Sequence, residues 1–72
     1  MRTLFITALV KKYEAKTEVI RDNLQWFLNN MNVTPGNSGA AKEIENLVLQ
    51  LGKAESKLAT FKKLEKELEN NG

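Results

Sequence analysis

The chain contains no cysteine and no histidine. The first absence rules out disulfide staples, and the two together rule out the usual zinc clusters. They also remove the commonest general base and the best thiol nucleophile. Arginine is scarce, with only Arg2 and Arg21, and the net charge is +2, a small excess for a dedicated nucleic-acid binder. No apolar stretch approaches the roughly 20 residues of a membrane span. The longest, Leu4 to Val10, is interrupted by Thr7 and followed by Lys11 and Lys12. A signal peptide would place small residues there, so the segment reads as the start of a helix. The lack of cysteine for disulfides fits a reducing compartment, so with no span a cytoplasmic location without membrane association is expected.

Helix breakers are equally few. There is one proline, Pro35, and it lies in a short stretch with Gly36, Asn37, Ser38 and Gly39. On either side the sequence carries a heptad pattern, abcdefg with apolar a and d. In the first half the a positions are Thr3, Val10, Thr17, Leu24 and Met31, and the d positions are Ile6, Tyr13, Ile20 and Phe27. In the second half they are Ile44, Leu51, Leu58 and Glu65 at a, with Leu47, Ala54, Phe61 and Leu68 at d. An antiparallel pair sets each a opposite a d, so the residue numbers of every facing pair must add to one constant. They do: Phe27 with Ile44, Leu24 with Leu47, Ile20 with Leu51, Thr17 with Ala54, Tyr13 with Leu58 and Val10 with Phe61. Pro35 and Gly36 add to the same constant, so the turn lies where the mirror requires it.

The flanking positions test that register separately, because e faces e and g faces g. The e edge pairs Leu28 with Val48, Arg21 with Glu55 and Glu14 with Lys62. The g edge pairs Asn30 with Glu43, Asn23 with Gln50 and Leu9 with Leu64, but it also sets Lys16 against Lys57. The predicted fold is therefore all-α, one antiparallel two-helix hairpin over residues 1–72, coiled-coil-like. Helix 1 is expected over about 4–31 with Thr3 as N-cap, a loop over 32–38, helix 2 over about 39–69 with Ser38 as cap, and a frayed tail at 70–72. Asn32 and Val33 suit a Schellman close of helix 1, and Thr34 with Pro35 at the first helical position is the alternative start of helix 2.

Seventy-two residues form a small core, about 3–5 kcal/mol at most, with no covalent or metal support. Large apolar residues also lie off the seam, among them Leu4, Phe5, Val19, Trp26 and Leu49. Two hairpins pairing into a four-helix bundle would cover them, so a homodimer is expected. Its face is read as Leu28, Val48, Leu49, Gly52, Ser56 and Ala59, where small residues permit close approach. Gly52 inside a helix costs about 1 kcal/mol relative to alanine and invites such an explanation.

No catalytic, cofactor or metal site emerges. Glu43/Glu45 and Glu65/Glu67/Glu69 point to different helix faces, and Glu14, Glu18 and Asp22 run beside Lys11 and Arg21 as a solvated ion-pair face. The Gly-Asn-Ser-Gly run lacks the lysine of a phosphate-binding loop. The distinctive surface is on the c/g side, where Lys12, Lys16, Lys53 and Lys57 converge without an intervening acid, beside Val19 and Trp26. An ordinary solvated lysine face would look the same, since lysine stems cover apolar surface. The functional alternative is a docking face for an acidic protein partner, with Trp26 as anchor. The sequence thus reads as a non-enzymatic protein–protein interaction and oligomerisation module. Its lysine and asparagine content suggests a phage or mobile-element origin. A small nucleic-acid-associated protein using the lysine patch and a self-assembling structural subunit are the alternatives.

Overall fold

The computed structural model describes residues 2–30 and 38–71. Two helices, α1 (Arg2–Asn30) and α2 (Ser38–Asn71), pack against one another along their length. Ion pairs and hydrogen bonds join residue 7 to 65, 14 to 62 and 21 to 55, so the helices run antiparallel. The molecule measures 54 × 15 × 13 Å, the dimensions of a helix pair. At about 1.5 Å per residue, helices of this length reach about 44 and 51 Å.

The heptad pattern forecasts which side chains leave water. Every described a and d residue of both helices is buried or half-buried. Off the seam, only Thr7 and Leu9 among the described residues are shielded to that degree. Val10, Ile20, Leu47 and Ala54 are buried, and the seam extends one layer toward the turn to Ala40. Ile20, Leu47 and Ala54 form the centre, with Tyr13, Leu24, Phe27 and Leu51 packed against them. One layer further toward the open end, the Tyr13 and Phe61 rings tilt at 37° with centroids 5.5 Å apart.

Two of the three e-edge pairs close as ion pairs. Arg21 Nη2 donates to Glu55 Oε2 at 2.8 Å, and Lys62 Nζ stands 3.8 Å from Glu14 Oε2. All four side chains are about half exposed, so each pair adds about 0–1 kcal/mol and acts mainly on register. The one charged seam residue, Glu65, is half-buried and accepts a 2.6 Å hydrogen bond from Thr7 Oγ1. That bond lets a carboxylate occupy an a position at the open end.

The helix ends differ from the sequence expectation. α1 already includes Arg2, so Thr3 lies inside the helix as a half-buried seam residue and does not cap it. Seam packing at Thr3 and Ile6 draws the first turn into the hairpin. α2 includes Ser38 and continues through Asn70 and Asn71. Leu68 at d, half-buried, anchors that last turn. The expected loop, the Schellman close at Asn32 and Val33, and Thr34–Pro35 lie outside the described residues.

Candidate functional site

The lysine face is built on the g edge, where the register brings two like charges together. α1 presents Lys12 and Lys16 on either side of Tyr13, one residue before and three after. α2 presents Lys57 from the opposite helix. All three ammonium groups approach the Tyr13 ring, with Nζ at 5.9 Å (Lys12), 5.5 Å (Lys16) and 5.5 Å (Lys57) from its centroid. The negative face of the aromatic quadrupole attracts each by about 0.5–1 kcal/mol at an exposed site. That attraction, with the solvent exposure of both side chains, offsets the repulsion of Lys16 opposite Lys57. Lys53 and Gln50 complete a cavity of about 170 Å³ floored by Tyr13 and Ala54.

No carboxylate pairs with Lys12, Lys16, Lys53 or Lys57 among the described residues, whose ion pairs involve Arg21 and Lys62. The site is therefore a concentration of positive charge compensated only by a ring face. Val19, 57% exposed, adjoins it toward the turn. Trp26 is 58% exposed and meets Phe27 edge-on, with centroids 6.4 Å apart. It lies two helical turns beyond Val19, about 10 Å further along α1. The structure thus gathers the four lysines into one site, while Trp26 forms a separate apolar point on the same side.

The second predicted face is less unified. Val48, Leu49, Gly52 and Ser56 line a shallow groove on the outside of α2, of about 590 Å³. Lys53 and Lys57 line it too, so this groove and the lysine cavity adjoin across α2 and share two residues. Ala59 belongs instead to a groove of about 570 Å³ between the helices, with both e-edge ion pairs. Leu28 is 51% exposed near the turn. A methyl group added at Gly52 would meet nothing within 4 Å. Gly52→Ala is therefore expected to stabilise the isolated hairpin by about 0.5–1 kcal/mol in urea melts at low concentration. A loss of stability there would mean that the helix needs glycine for a reason internal to the hairpin.

Two features of the site escaped the sequence pattern. The first is Tyr13, assigned to the seam alone, whose ring face is the common contact of three lysines. Its position between Lys12 and Lys16 and one step from Lys57 across the g edge was the available signal. The second is Thr17, whose hydroxyl is buried and has no hydrogen-bond partner among the described residues. Glu14, Glu18 and Asp22 line the groove between the helices, and no group of three acidic side chains able to hold a metal ion forms among the described residues. No described helix is long and apolar enough to cross a membrane.

No protein-family model, curated protein or solved structure matches this chain. Its function has to be argued from its own surfaces.

Proposed function

We propose that the protein is a non-enzymatic helical interaction module, a hairpin that pairs with a second copy and docks an acidic protein partner on its lysine face. The extent of exposed surface carries this reading. The chain exposes 5540 Å² at a mass of 8.2 kDa. A compact monomer of that mass exposes about 4500 Å², so the hairpin carries about 1000 Å² more than a compact fold would. A standard interface buries about 800 Å² on each partner, close to that excess. The surface is also apolar where an interface would need it to be, with Leu28, Val48 and Leu49 each more than half exposed. Beneath them the core is thin, and no large side chain is fully shielded among the described residues.

Self-pairing through the Val48–Leu49–Gly52–Ser56 groove supports a four-helix bundle with Lys53 and Lys57 at the rim of the interface, which leaves Lys12, Lys16 and Trp26 on α1 accessible to a partner. Sedimentation equilibrium tests it directly. The wild-type chain is expected to be dimeric at micromolar concentration. Leu49→Glu, which would bury a carboxylate at the interface, is expected to weaken the dimer by at least about 100-fold while circular dichroism stays helical. A wild-type chain that remains monomeric at millimolar concentration would overturn self-pairing.

A further inference from the structure

α1 carries two seams, and α2 occupies only one. The a/d seam is filled by α2. The second runs along the c and g positions as Phe5, Leu9, Lys12, Lys16 and Val19, at spacings of four and three residues, and continues through Asn23 to Trp26. That alternation is the pattern by which a helix receives another helix. Its ends are apolar and unoccupied: Phe5 is 69% exposed and Trp26 58%, with Leu64 of α2 at 39% on the facing g position beside Leu9. Its middle is the lysine cluster on Tyr13, with no carboxylate paired to it.

From this apolar–basic–apolar order we infer that the c/g seam receives a third helix, an acidic amphipathic helix of a partner protein. The inference rests on the docking role proposed above for the lysine face, and it specifies the partner's chemistry. Phe5 and Trp26 stand about 31 Å apart along the axis at about 1.5 Å per residue, so the partner helix needs about six turns. It carries apolar residues in its first and last turns and aspartate or glutamate in the two central turns. The apolar ends supply anchoring contacts with Trp26 and with Phe5, Leu9 and Leu64. The central carboxylates fix register and exclude helices of the wrong charge.

Charge decides between occupants. A second copy on this seam would bring the same four lysines face to face with themselves, and like charges across an interface oppose it. A nucleic-acid strand would engage the ammonium groups and stack bases on Phe5 or Trp26, but it has no use for the aliphatic Leu9 and Leu64. An acidic helix matches the lysines of the middle and the aliphatic as well as the aromatic residues of the ends.

Trp26 is the one tryptophan of the chain, so its emission reports occupation of the seam. The probe is a labelled synthetic helix of about 24 residues with leucine at the seam positions of both ends and glutamate at the central ones. It is compared with the same peptide bearing glutamine for glutamate and with a single-stranded oligonucleotide of similar length. The glutamate peptide is expected to shift Trp26 emission to the blue and to bind at least about tenfold more tightly than the glutamine peptide at low salt. In fluorescence anisotropy the pair Lys16→Glu/Lys57→Glu and the single change Trp26→Ala should each weaken it by about tenfold or more, with helicity retained. Equal binding of the two peptides, or lysine-independent binding, overturns the inference. If the oligonucleotide binds best and through the lysines, the face is a docking site but its partner is a polyanion, and the helix assignment falls alone. If no probe binds, the docking role falls with it, whereas self-pairing stands or falls on sedimentation.

Discussion

Ile20→Ala is expected to lower the folding free energy by about 2–5 kcal/mol, which removes most or all of the stability of a hairpin this small. Ile20 is 6% exposed and sits with Leu47 and Ala54 at the centre of the seam, surrounded by Leu24, Phe27 and Leu51. A two-layer helix pair has no further shell to collapse into the space left by the lost side-chain atoms. The lost transfer energy and the cavity therefore add. The adjacent Val19 provides the control. It projects about 100° round the same turn and is 57% exposed, so Val19→Ala should change stability by no more than about 0.5 kcal/mol at a concentration where the chain is monomeric. Urea denaturation followed by circular dichroism separates the two. Equal effects at the two positions would mean that the seam is not the source of stability.

That contrast also shows how far the pattern of residues predicts the molecule. A rule about residue numbers placed Arg21 against Glu55 and Glu14 against Lys62, and both pairs form. The same rule separated Ile20 from Val19. It succeeds because register along an antiparallel pair is set by rigid helical periodicity, and one apolar mismatch would displace every layer. Where the sequence fell short, the deciding groups are flexible or local. A lysine head can reach several positions, so the convergence of Lys12, Lys16 and Lys57 on Tyr13 is a matter of reach and quadrupole attraction, not of period. The carboxylate of Glu65 could have faced solvent, and the hydroxyl of Thr7 draws it back to the seam. Thr3 suits a cap by type, yet packing in the first layer keeps it helical. The lysine face was legible as a place, because Lys16 against Lys57 is the one pair that breaks the rule. Its boundary with the small-residue groove was not, since Lys53 and Lys57 border both.

Thr17→Val should stabilise the hairpin by about 1–2 kcal/mol, against the usual direction of seam substitutions. Thr17 is 5% exposed and faces Ala54, itself 3% exposed, across the seam. Its Oγ1 is shielded from solvent and has no partner among the described residues. A buried hydroxyl left without a hydrogen bond costs about 1–3 kcal/mol, and valine replaces it with a methyl of similar shape. In a domain of this size each kcal/mol corresponds to about 4–8 °C in midpoint, so the change is readable in a thermal melt. Thr17→Ser should instead lose stability, since it keeps the hydroxyl and removes the methyl. The register should survive the valine. A slip of one heptad would set residue 17 against Leu47 or Phe61 and break the match of Arg21 with Glu55, whereas the native register keeps the small Ala54 opposite it. A Thr17→Val chain no more stable than the wild type, with Thr17→Ser also neutral, would mean that the hydroxyl is satisfied in solution. The Thr17–Ala54 layer would then be wetter and looser than its burial indicates, and the stability of the hairpin would have to come from the layers on either side.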